Sequence, residues 1–114
     1  SDQRDEAIEK ELDLMDSKEN TNNIYKEITT AYTIGTSFYI NQKYKEATPY
    51  LEKSLKLTES LPAKVKNIYQ KRIIWKLSMA YAKSGKKREA TQLTKDLINT
   101  VEQEYKRSKA TTVL

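Results

Sequence analysis

A recurrence at a fixed offset constrains this chain more than any single residue does. Residues 34–57 read IGTSFYINQKYKEATPYLEKSLKL, and residues 77–98 read LSMAYAKSGKKREATQLTKDLI. Ile34-Gly35 falls on Leu77-Ser78, Phe38 on Tyr81, Gln42 on Gly85 and Glu46-Ala47 on Glu89-Ala90, all at an offset of 43 residues. A third Glu-Ala pair, Glu6-Ala7, stands 40 residues before Glu46-Ala47. Self-similarity at a period of a few tens of residues marks stacked structural units, none of which buries its apolar face alone.

The units read as helices. Two glycines and two prolines in 114 residues are too few for the tight turns of an all-β fold. Apolar residues recur every three or four positions, and the spacing predicts five helices. The first spans 2–16, with Ala7, Ile8, Leu12 and Met15 as its stripe. The polar run Ser17–Asn23 (SKENTNN) reads as a loop ending in a cap near Thr21 or Asn22. The second helix runs from Ile24 to about Ile40, with Ile28, Ala31, Ile34, Gly35 and Phe38 inward. After a turn at Asn41–Lys43 the third covers 44–60, with Ala47, Leu51, Ser54, Leu55 and Leu57 inward and Pro49 in its early turns. Pro62 suits the first turn of the fourth, which carries Val65, Ile68, Tyr69, Ile73, Leu77 and Ala80 to a stop at Gly85. The fifth covers about 87–106, with Ala90, Leu93, Leu97, Ile98, Val101 and Tyr105 inward. The expected organisation is one all-α domain over 1–114: an orphan or capping helix at 2–16, one repeat at 22–60 and a second at 62–108. A helix without its pair at the start also suggests a piece of a longer array.

Composition removes several function classes. The chain has no cysteine and no histidine, which excludes disulfides, thiolate chemistry and the usual zinc ligands. No Gly-rich phosphate cradle is present, and nucleophilic catalysis through Ser or Lys would need an unusual base. The expectation is therefore a protein that is not an enzyme and needs no metal or cofactor. The absence of cysteine is compatible with a cytoplasmic location, and no apolar run approaches membrane-spanning length. The net charge of +5 hides an asymmetry: residues 1–20 hold 8 acids and 3 bases, whereas residues 21–114 hold 8 acids and 18 bases. Such polarity suits an acidic helix packing on a basic neighbour, or an acidic partner for the later part.

The two copies resemble the tetratricopeptide repeat (TPR), an α-solenoid of antiparallel helix pairs. The family's Leu-Gly-x-x-Tyr stretch falls on Ile34, Gly35 and Phe38, and then on Leu77, Ser78 and Tyr81. Its Tyr-x-Glu-Ala stretch falls on Tyr44, Glu46 and Ala47, with Glu89-Ala90 in the second copy. The departures are clear. Ala31 and Ile74 hold the tryptophan position, Gln42 replaces the turn glycine, and the offsets of 40 and 43 exceed the family's usual 34. Stretched repeats of this kind resemble those of bacterial signalling and transcription regulators. The resemblance implies a scaffold or sensor that binds a protein or peptide on the concave face lined by the first helix of each pair. On that face it places Tyr32, Thr36 and Tyr39, then Arg72, Trp75, Lys76, Met79 and Lys83. An aromatic floor with cations suits an extended or helical peptide carrying acidic groups. Two alternatives stay open. Lys83, Lys86, Lys87 and Arg88, with Lys106, Arg107 and Lys109 further on, would suit a nucleic-acid backbone. Exposed array ends would suit homo-oligomers.

Overall fold

The computed structural model describes residues 2–113 and is helical throughout, with no strand among them. Four helices follow one another: α1 (Asp2–Ile40), α2 (Tyr44–Leu57), α3 (Ala63–Lys83) and α4 (Lys87–Val113), with a 3₁₀ turn at Thr58–Ser60. The expected count of five is corrected to four, because Ser17–Asn23 continues the helix instead of breaking it. The physical reason is that a capping side chain ends a helix only where the backbone turns out of it. This run holds neither Gly nor Pro, and Ser, Asn and Thr each cost only about 0.5 kcal/mol inside a helix.

Continuity has a geometric consequence. Ile8 and Ile28 lie 20 residues apart on one helix, which at 3.6 residues per turn puts them about 200° apart around its axis. The stripe Ile8, Leu12 and Met15 therefore faces away from the side on which Ile28, Ala31 and Gly35 pack. Every residue from Asp5 to Asn23 whose side chain is described is exposed, and Ile8, Leu12 and Met15 are 50%, 54% and 65% exposed. The expected packing of that stripe on the rest of the chain is not present.

Successive helices run antiparallel. Gly35 abuts Leu51 and Ala47, and the Phe38 and Tyr50 rings stack at 5.7 Å. The Tyr81 hydroxyl reaches Glu52 at 2.9 Å while Gln70 reaches Thr58 at 3.1 Å, so α3 descends as α2 rises. Lys71 pairs with Glu104 at 2.8 Å, seventeen residues along α4 from its start at Lys87 beside the end of α3. In contrast α1 and α3 lie parallel, with Thr36 meeting Lys76 and Tyr39 meeting Met79.

Two buried clusters hold the body together. Ala47, Leu51, Leu77 and Ala80 form one, and Ile28, Leu61 and Ile73 the other. Tyr32 and Leu55 pack against both and join them. Burial of Leu61, Thr48 and Thr58 was not expected from periodicity. Thr48 is explained by its neighbour. Pro49 has no N–H for the Lys45 carbonyl four residues back, and the Thr48 hydroxyl donates to that carbonyl at 2.9 Å instead. Five residues expected inward are corrected: Ile34, Ile68, Ile98, Val101 and Tyr105 are 37%, 64%, 52%, 45% and 66% exposed. Ile34 borders an open depression between α1 and α2 with Tyr50 and Lys53, and the other four lie on the sides of α3 and α4 that no other helix covers. The Tyr81 phenol is pushed up by burial and by its hydrogen bond to Glu52, so it stays protonated.

The 43-residue offset reappears in the backbone. Lys43 N–H donates to the Phe38 carbonyl at 2.9 Å, and Lys86 N–H donates to the Tyr81 carbonyl at 2.8 Å. Each such turn needs a left-handed residue just before its donor: Gly85 at φ 88° and Gln42 at φ 62°. A side chain in that region costs about 1 kcal/mol. Gln42→Gly is expected to recover it, raising the thermal midpoint by about 4 °C. Circular dichroism melts check this, and an unchanged or lower midpoint contradicts it.

Candidate peptide-binding face

The parallel α1 and α3 present matched side chains at helical spacing. Tyr32, Thr36 and Tyr39 stand at i, i+4 and i+7 on α1, and Lys76, Met79 and Lys83 stand at i, i+3 and i+7 on α3. The two rows meet. Lys76 Nζ lies 5.0 Å from the Tyr32 ring centre and 5.9 Å from that of Tyr39, and donates to Thr36 Oγ1 at 3.3 Å. Lys83 Nζ lies 5.4 Å from the Tyr39 ring and 5.0 Å from the Tyr44 ring, with the Tyr44 hydroxyl 3.5 Å away. The Tyr39 hydroxyl donates to Met79 Sδ at 3.6 Å, and the Tyr39 and Tyr44 rings meet edge-on at 5.2 Å.

The result is an alternating row of cations and aromatic rings along one seam. Each ammonium sits against the electron-rich face of a ring, which holds the charge in place without neutralising it. The described ion pairs engage Lys66 with Glu59 and Lys71 with Glu104, not Lys76 or Lys83. Contact with the Tyr44 hydroxyl, and then with Tyr39, raises Lys83 above its ordinary value and keeps it cationic through the neutral range.

Six of the eight residues named from sequence are thus brought together: Tyr32, Thr36, Tyr39, Lys76, Met79 and Lys83. Tyr44 belongs with them but was assigned only to the opening of a helix. Its signal was the short turn at Asn41–Lys43, which returns the chain beside Tyr39. Arg72 and Trp75 are exposed on α3 and take part in none of the seam's ring or hydrogen-bond contacts, although they line a depression that Tyr32 and Lys76 also border. Trp75 is 67% exposed and separates two depressions. One, of about 580 Å³, lies between α3 and α4, where Trp75, Met79, Leu97 and Ile98 form an apolar lining beside Lys95. The other, of about 710 Å³, runs from Tyr32 past Ile68, Arg72 and Trp75 to Val101.

The two basic clusters do not form one surface. Lys83 faces the tyrosines and Lys86 lies 5.7 Å from the Tyr81 ring, while Lys106 and Lys109 follow about 30 Å further along α4 at 1.5 Å per residue. Among the described residues no group of three or more acidic side chains converges on a common point. Nor is any of their helices long and apolar enough to cross a membrane. No family model matches this chain, and neither a curated protein nor a solved structure matches it.

Proposed function

We propose that this chain is a non-enzymatic helical-repeat module, TPR-like in plan, that binds an acidic peptide segment of a partner protein along the α1/α3 face. The observation that carries the reading is the pair of ammonium groups at Lys76 and Lys83. Two helical turns, about 10 Å, separate them, and both are fixed over tyrosine rings without a paired carboxylate. A carboxylate arriving there meets preorganised charge, and apolar side chains beside it meet Tyr39 and Met79. The antiparallel succession of helices and the recurrence of the turn after 43 residues support the TPR-like plan. The module would serve as the sensor or scaffold portion of a larger bacterial regulatory protein, as the resemblance of its long-offset repeats suggests.

The test is fluorescence anisotropy with a labelled peptide of alternating glutamate and leucine, against the parent chain and against Lys76→Gln/Lys83→Gln. The parent should bind and the variant should bind about tenfold more weakly or worse, the equivalent of about 1.4 kcal/mol. Helicity should not change, because both lysines lie on the surface of the seam. Equal affinity of parent and variant, or an alternating lysine and leucine peptide bound as well as the acidic one, overturns the proposal.

A further inference from the structure

Two apolar surfaces remain uncovered, and they carry opposite charge. The first is the N-terminal half of α1, where Ile8, Leu12 and Met15 form a stripe at i, i+4 and i+7. Residues 1–20 around it hold 8 acids and 3 bases. The second is the groove between α3 and α4, floored by Trp75, Met79, Leu97 and Ile98. The charged residues lining this groove and the depression beside it are Lys71, Arg72, Lys76 and Lys95, all cationic.

We propose that the acidic N-terminal half of α1 seats in the α3/α4 groove of a second copy of this chain. A helix laid on that groove would contact α3 and α4 together, as each helix within the body contacts its neighbours. The stripe supplies apolar anchors at the spacing used when a helix enters a groove, and the acids flank it where the groove presents its cations. The same chain cannot fill its own groove. Its arm continues α1 without a break and carries the stripe on the far side of the helix from the body. A helix projecting by itself is marginal in water, so cover from another copy also stabilises the arm. When each copy lends its arm to the other, the contact is satisfied as a twofold pair. Met79 and Lys76 border both this groove region and the α1/α3 seam, whereas Tyr39, Tyr44 and Lys83 belong to the seam alone.

Trp75 is the chain's sole tryptophan, so it reports on the groove directly. Sedimentation equilibrium of the full chain should give a mass above 13.3 kDa that falls toward it on dilution. Trp75 emission should shift to the red and become open to iodide over the same range, and added salt should weaken the association by screening. Leu12→Ser/Met15→Ser and Trp75→Ala should each weaken association at least tenfold while the body keeps its cooperative unfolding transition, since all three side chains are exposed within one copy. Mixing these two variants should restore a complex and blue-shift the tryptophan, because one supplies an intact groove and the other an intact arm. A parent that stays monomeric at every concentration overturns the proposal. So does an oligomer that survives the arm substitutions, or a mixture that fails to associate. The seam variant Lys83→Gln, whose lysine lines neither the groove nor the depression beside it, is measured in parallel; if it binds the acidic peptide more weakly but still self-associates, the two readings stand separately.

Discussion

Leu51→Ala is expected to destabilise the fold by about 4 kcal/mol, near the upper end for removing a buried leucine side chain. Leu51 has no exposed surface and lies in the cluster with Ala47, Leu77 and Ala80. It is the large side chain on α2 around which α1 and α3 close, with Gly35 directly against its branch point. On its near sides the cavity would be bordered by Gly35, Ala47 and Ala80, which have no longer side chain to swing into it. Relaxation would require the helices themselves to approach, and their spacing is held by the rest of the packing. Domains of this size have about 5–15 kcal/mol in total, so the loss is a large share of the stability. Urea unfolding followed by circular dichroism checks it: the midpoint should fall sharply while the slope stays the same. A loss under about 1 kcal/mol would show that Leu51 is not the centre of the core.

Gly35→Val is expected to cost about 3 kcal/mol by the opposite route, overpacking. A Cβ at Gly35 would lie 2.8 Å from Leu51 Cγ and 2.9 Å from Cδ2, with the Ala47 carbonyl oxygen at 3.3 Å. The obstruction is the branch point of a fully buried leucine, which cannot turn aside. The glycine at this position thus serves closeness of approach and not backbone freedom, unlike Gly85, where an added Cβ meets nothing within 4 Å but φ is 88°. The two substitutions are coupled. In the Leu51→Ala background the space opposite position 35 opens, so Gly35→Ala should change from destabilising to neutral or stabilising, with alanine's helix propensity adding about 1 kcal/mol. A double-mutant cycle reads this as a coupling of about 1–2 kcal/mol, and strict additivity would show that the two residues do not share a contact.

Much of the α1/α3 seam was legible because both helices keep a strict phase and their repeats keep a strict offset. With Gly35 and Leu77 set inward, helical spacing puts Tyr32, Thr36 and Tyr39 on one face of α1 and Lys76, Met79 and Lys83 on one face of α3, and the helix pairing implied by the repeat resemblance sets those faces side by side. Tyr44 escaped because its place depends on how sharply the chain reverses at Gln42. The loop expected at Ser17–Asn23 illustrates a different limit. Capping residues are permissive, and a helix passes through them wherever the flanking turns are strong enough to carry it.

The order of residues alone specifies a helical chain, the places of two of its turns, and the small residues that allow close helix approach. These follow from local backbone preference and from a periodicity that any packed arrangement must respect. Which apolar stripes are covered follows from how the helices pack in three dimensions. Ile8, Leu12, Met15, Ile68, Ile98, Val101 and Tyr105 have the same helical spacing as core residues, and nothing in that spacing distinguishes them from Ile28 or Ile73. Burial requires a second surface. For Ile28 and Ile73 the chain supplies it, and for the exposed set no neighbouring helix of the same copy reaches them.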